Sequence, residues 1–332
     1  CETGPANQPV FIVGNPRSGS TLLASLFDRS DIFACGPETG FFRPPATSLK
    51  AALENWPLSA ADMVCALELH GERVHDLYGI DRESVLDHLR GSPPSVRAML
   101  ESLTAVYADR HGKRRWVEKT PNHLAALGTI RAEFPNAVIV EITRHPVASA
   151  VGMCRLPWAT PSAVANAYLL NDVHWASERF LATDHSTMRV RYEDLVTDPA
   201  GTLATLFEAL GEAFDPAVLT TTGNPELIAA AETWKHDSLG AVDPAIGERW
   251  RAQVRSGQAA AISVICDGYL RAKGYEPIEE PAAVISAYPL HWDTASEEWE
   301  ALEELSLRGV VIAPPADRIP PPPDCDHVAS GR

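Results

Sequence analysis

Six consecutive residues, Pro16-Arg17-Ser18-Gly19-Ser20-Thr21, have the side chains and spacing to hold an anion. Gly14 and Gly19 bracket a tight loop, and Ser20-Thr21-Leu22-Leu23 opens a helix. The first turn of a helix leaves backbone N–H groups unpaired, and the helix dipole puts partial positive charge there. Arg17 adds a full charge, and Ser18, Ser20 and Thr21 add hydroxyl donors. Three other segments carry complementary groups. Cys35-Gly-Pro-Glu-Thr-Gly40 presents a carboxylate, Glu38, from a loop that Gly and Pro keep out of a helix. Glu118-Lys119-Thr120-Pro121 presents a cation, and Arg144 follows the apolar run that ends at Thr143. A base, a cation for developing charge and an Arg fork for a second phosphate are the parts of a displacement on an anionic donor.

The spacing Gly14-x-x-x-x-Gly19 before Ser20-Thr21 nearly matches the loop of triphosphate-binding enzymes, but Ser20 stands where the essential Lys would be. A triphosphate with Mg²⁺ is therefore poorly served. A donor with one phosphate joined to a sulfuryl group carries less charge and needs no metal. A phosphotransferase with this loop is the first competing reading, and a non-catalytic nucleotide-binding protein the second.

These groups need elements to position them. Val10 to Val13 is an unbroken apolar run, as in a strand covered on both faces. Further strands are expected at 115–119, 137–143 and 188–192. Helices are expected at 121–133, from Pro146, at 199–210 and at 257–272. Strands alternating with helices imply a doubly wound parallel α/β sheet. Ligands of such sheets lie beyond the carboxyl ends of the strands, which is where the loop, Lys119 and Arg144 fall. Residues 47–112 read as a helical insertion that shapes an acceptor site. The domain is expected to end at 275. Residues 276–332 read as an acidic, Pro-rich extension with a helix at 295–307 and an irregular end at Pro320–Pro323.

Composition narrows the partners. The 332 residues hold 28 basic and 44 acidic side chains, a net charge of −16. That excess argues against nucleic acid and anionic membrane, and disfavours polyanionic acceptors. The cysteines, at 1, 35, 65, 154, 266 and 325, show no CxxC spacing and no metal pattern. Reduced thiols in a cytoplasmic enzyme without a metal are expected. No apolar run reaches the length of a membrane span. The chain starts at Cys1 without Met, as a chain trimmed, processed or cut from a longer protein would; a lipoprotein end is disfavoured because the first strand follows so closely.

Together the motifs closely resemble the sulfotransferases that use 3′-phosphoadenosine-5′-phosphosulfate (PAPS), over residues 9–275. The resemblance implies a P-loop-like three-layer sheet, PAPS as co-substrate, no metal, and a hydroxyl acceptor, less readily an amine. Arg17, Ser18, Gly19, Ser20 and Thr21 would hold the 5′-phosphosulfate, and Arg144 the 3′-phosphate. The family's Ser lies eight residues after this Arg; here that position is Gly152, with Ser149 or Arg155 as replacements. Tyr192, in Met188-Arg-Val-Arg-Tyr192, would approach the adenine. Arg249-Trp250-Arg251 and Lys273-Gly274-Tyr275 resemble the C-terminal part of bacterial members, whose loop would cover the nucleotide. Glu38 lies in a loop similar to that of the tyrosylprotein sulfotransferases, which implies the role of general base. Lys119, oriented by Glu118, and Arg17 would stabilise the departing phosphate. His123 is the rival base. A small molecule, a sugar, a lipid and a peptide Tyr all stay open as acceptors, as does the oligomeric state.

Overall fold

A computed structural model describes residues 8–254 and 257–278. Five strands form a parallel sheet in the order β2-β5-β1-β6-β7. They are β1 (Val10–Gly14), β2 (Phe33–Cys35), β5 (Arg115–Lys119), β6 (Val138–Thr143) and β7 (Met188–Arg191). Between them in sequence lie β3 (Glu68–Leu69) and β4 (Glu72–Arg73), an antiparallel hairpin. The apolar run of β1 takes the central position, and every residue of it is buried. Successive side chains of a strand point to opposite faces. Phe11 and Val13 accordingly join one core cluster, and Val10 and Ile12 another.

Helices cover both faces, giving three layers. On the Val10–Ile12 side lie α1 (Ser20–Asp28) and the helix Pro199–Ala209. Phe27, Phe33 and Phe207 meet there at centroid distances of 5.0 to 5.5 Å. On the Phe11 side lie the helices of the insertion, chiefly Leu58–Cys65, Arg82–Arg90 and Val96–Arg110. Phe11 contacts Phe134 at 5.1 Å and Trp116 at 5.6 Å. A third cluster joins the helices Pro146–Met153, Ala163–Leu181 and Gln258–Ile265.

The insertion is helical as expected, apart from the short β3–β4 hairpin inside it. It also clamps the loop that carries Glu38. The Tyr78 hydroxyl donates to the Pro37 carbonyl at 2.8 Å, and a Cβ at Gly36 would lie 2.4 Å from the Tyr78 ring. Three expected elements differ in detail. The segment after Thr120 begins as a 3₁₀ turn, Pro121–Ala126, before the α-helix Leu127–Glu133. Tyr192 does not close β7 but starts a short helix, Tyr192–Thr197. The final helix breaks at Cys266 into Gln258–Ile265 and Asp267–Lys273. The expected boundary at 275 falls near the end of the described residues, and the helix expected at 295–307 lies outside them. Among the described residues no helix is long and apolar enough to cross a membrane.

Candidate active site

The loop after β1 sits at the middle of the sheet's carboxyl edge. A Cβ at Gly14 would lie 2.3 Å from the Ile142 carbonyl, so only glycine lets β1 and β6 end this close together. Gly19 is left-handed (φ 97°), and a Cβ there would collide with the Tyr192 ring at 2.3 Å. Arg17 is left-handed too (φ 64°). No side chain caps α1, and its first residues, Ser20 and Thr21, line a pocket of about 510 Å³. Gly19, Arg17, Glu38, Arg144 and Tyr192 line the same pocket.

Two half-buried arginines meet at this mouth. The Arg144 guanidinium donates to the Arg17 carbonyl at 3.2 Å and to the Gly247 carbonyl at 2.9 Å. It also lies 4.2 Å over the Tyr192 ring. Burial, then the charge of Arg144, pushes Arg17 below its usual value, and burial lowers Arg144. An anion between them would relieve both effects. Several buried polar atoms here lack a partner: Arg17 Nε, Ser18 Oγ, Asn15 Oδ1 and Ser149 Oγ. Buried polar groups normally find partners, so a cluster of orphans beside a pocket is suited to a polar ligand.

Ser18 and Ser149, both expected to bind the donor, are buried and do not line the pocket. Gly152 packs against Arg17, where a Cβ would lie 3.4 Å from the Arg17 Cβ and 3.6 Å from its Nε. Arg155 is exposed and outside the pocket lining. In the segment 249–251 only Trp250 is buried. Lys273 pairs with Glu141 at 2.7 Å and Glu178 at 2.9 Å, and Tyr275 donates to Glu193 at 2.8 Å. These groups tie the last helix to the sheet.

Glu38 lies at the pocket wall between two lysines. Lys119 donates to its Oε1 at 2.8 Å and Lys235 to the same oxygen at 2.5 Å. Burial pushes the Glu38 carboxyl up, but the two ammonium groups outweigh it and bring it to about 2. Lys119 is fully buried behind Glu38 and is held above its usual value: burial lowers it, and Glu38 and Glu232 more than offset that. Lys235 also donates to Glu232.

Glu118 does not orient Lys119. Its carboxylate accepts from Thr120 Oγ1 at 2.6 Å, Thr39 Oγ1 at 2.7 Å and His123 Nδ1 at 2.8 Å. The other ring nitrogen of His123 accepts from the Phe42 N–H at 3.2 Å. Both nitrogens are thus engaged in a buried network that pins residues 39–42 to the end of β5.

Sequence reading missed Lys235, Glu232 and Trp234, which all line the pocket. They lie at or beside a 3₁₀ segment, Thr233–Leu239, where no periodicity marks an element. The one available signal was Trp234-Lys235-His236 standing between the breaks at Pro225 and Gly240. From the insertion, only the tip of the hairpin, Leu69 and His70, reaches the pocket.

The family model described as "Sulfotransferase family" matches residues 9–216, and the chain belongs to this family. Nodulation protein NoeE of Sinorhizobium fredii is 27% identical over 284 residues, a match that covers 74% of this chain and 60% of that relative. The chain therefore spans less than two thirds of that relative's length. Among solved structures, the sulfotransferase domain of the Synechococcus PCC 7002 olefin synthase is similar at a TM-score of 0.57 and 19% identity, covering 83% of this chain and 98% of that one. The sulfotransferase domain of the curacin biosynthetic pathway is similar at 0.55 and 19%, covering 81% and 98%. At these identities the likeness speaks for the fold.

Proposed function

We propose that this sulfotransferase moves a sulfuryl group from PAPS to a hydroxyl acceptor, with Glu38 as general base. The observation that carries this reading is that Glu38, Arg17, Arg144 and the start of α1 all line one pocket. The residues present fit the donor. The uncapped first turn of α1 and the Arg17 side chain would hold the 5′-phosphosulfate. Arg144, already braced by Gly247 and Tyr192, would take the 3′-phosphate, with Ser149 Oγ as an unused donor nearby in sequence. Tyr192 would face the nucleoside. No metal is required by this set.

Glu38 would accept the acceptor's hydroxyl proton as that oxygen bonds to sulfur. The bond from sulfur to the bridging oxygen breaks, and its electron pair stays on the departing phosphate. Arg17 would stabilise the negative charge that builds there, whereas Lys119, the cation expected for that role, is fully buried behind Glu38 and outside the pocket lining, so it would act through Glu38. His123 is the weaker candidate for the base, because neither ring nitrogen is available. A phosphotransferase is less well served, because Ser20 stands where that chemistry uses Lys. The acceptor stays a hydroxyl compound of unspecified class: small molecule, sugar, lipid or peptide.

Calorimetric titration with adenosine 3′,5′-bisphosphate, beside ATP with Mg²⁺, tests the donor. Tight binding of the bisphosphate and none of ATP is expected; the reverse would put a kinase-like protein in its place. Glu38→Gln should lower turnover by roughly 10²–10⁴-fold with little change in nucleotide affinity. Near-normal turnover in that variant would remove Glu38 from the mechanism.

A further inference from the structure

Four buried side chains of alternating sign adjoin one another at the pocket wall: Lys119, Glu38, Lys235 and Glu232. His70 meets the far end, with Nε2 at 3.2 Å from Glu232 Oε1. Two cations and two carboxylates cancel, so the set compensates its own charge without solvent. Lys119 and Glu38 belong to the stretch that matches the family, whereas Glu232 and Lys235 lie beyond residue 216.

This arrangement makes Glu38 a weak base, since both ammonium groups bond one oxygen. The other charged or titratable groups near it are Glu118 and Cys35 on the sheet side, Tyr78 from the insertion, and Arg17 and Arg43 at the pocket. None of them bonds the carboxylate, so its basicity is governed by the two lysines. While both lysines hold Oε1, protonation of Glu38 is disfavoured, and release of one of them raises its basicity. The two are not equivalent. Lys119 is enclosed on a central strand, whereas Lys235 lines the pocket from a 3₁₀ segment. Burial and the charge of Lys119 both work against the Lys235 ammonium, which a second anion would stabilise.

We propose that Lys235 is a positioning residue that masks Glu38 and releases it when the donor binds: its ammonium passes from the Glu38 carboxylate to the anionic donor while Glu232 keeps its hold. The inference rests on the reading of Glu38 as base. Left with Lys119 alone, Glu38 rises toward the range of a working base, so the base is exposed when the nucleotide is bound. The exchange of ion partners breaks no covalent bond, and the raised basicity of Glu38 shows as partial uptake of a proton from solvent in acidic buffer.

The test is calorimetry of the full chain with adenosine 3′,5′-bisphosphate near pH 5, in two buffers of different ionisation heat, which counts protons taken up on binding. Glu38→Gln serves as the reference for protons exchanged by the nucleotide itself. The wild-type protein should take up more protons than Glu38→Gln. In Lys235→Met that excess should shrink at least twofold, and in Lys235→Arg it should persist. In Lys235→Met the acidic limb of kcat/KM for the donor should also move up by about one pH unit, because Glu38 has then lost one of two close cations. Equal uptake by wild type and Glu38→Gln, or an unmoved limb in Lys235→Met, overturns the proposal. Failure of the bisphosphate to bind, or full turnover in Glu38→Gln, would instead sink the functional reading beneath it.

Discussion

At the scale of single residues the site is organised by what each polar group is already bonded to. His123 and Glu38 are both buried, both close to Lys119 in the chain or in space, yet they have opposite situations. His123 spends both nitrogens on holding the protein together, while Glu38 bonds two ammonium groups, one enclosed and one, Lys235, at the pocket. His123→Ala should therefore cost about 2–4 kcal/mol of stability, since it strips a buried carboxylate of one partner. The fraction that stays folded should keep its nucleotide affinity in calorimetry. Arg144→Lys keeps the charge but loses the fork and the stacking on Tyr192. It should weaken binding of the 3′-phosphorylated nucleotide by about tenfold or more, the worth of one charge-assisted hydrogen bond, and bind the analogue lacking that phosphate almost unchanged. Gly152 is helical and has room for a Cβ beside Arg17. Gly152→Ser should raise stability by about 0.3 kcal/mol in denaturant titration, because a helix disfavours glycine, less so in its last turn, where Gly152 sits.

At the scale of elements the strands and the insertion do different work. The central strand β1 delivers the loop and is held by packing, with Phe11 buried among Phe42, Trp116 and Phe134. Phe11→Ala should cost about 3–5 kcal/mol, read as a shift in denaturant midpoint. The insertion acts on the site through Tyr78 and the hairpin tip more than through its helices. Tyr78→Phe removes only the bond to the Pro37 carbonyl and leaves the ring under Gly36. A loss of about 1 kcal/mol is expected.

At the scale of the whole molecule, a strongly acidic chain gathers Arg17, Arg43, Arg144 and Lys235 in one pocket beside as many carboxylates, and stores other charges inside the fold. Two buried groups make stability fall on acidification. His174 packs against Tyr269, with Glu178, Lys273, Glu141 and Arg189 around it. Burial pushes it down to about 4, so the unfolded chain binds more protons between about 6.5 and 4. Its contribution, about 3 kcal/mol from the difference in the two values, is present at neutral pH and lost as pH falls through that window. Glu38 is held at about 2, below its unfolded value, so its contribution is present above the unfolded value and is lost as pH falls further. Both effects have the same sign. Denaturant midpoints measured between pH 7 and pH 4 should fall steadily, and His174→Gln should flatten that slope.

Local chemistry was legible in the sequence where contiguous residues impose it. The apolar run 10–13 had to be a doubly covered strand, the two glycines of the loop had to bracket a tight turn, and Thr120-Pro121 had to start a turn of helix. From the strand ends, the loop with Arg17, Lys119 and Arg144 were expected on one edge of the sheet; Arg17 and Arg144 line one pocket, and Lys119 is shut away behind Glu38. Partnership was not legible. Glu118 turned to His123 rather than to Lys119, and Lys235 reached Glu38 across 197 positions of sequence. A periodic pattern reports which face of an element is covered, and a motif reports what a loop can bind. Neither reports which of several buried carboxylates an ammonium will choose. That choice depends on which charges are shut away from water together, and only the packed chain decides it.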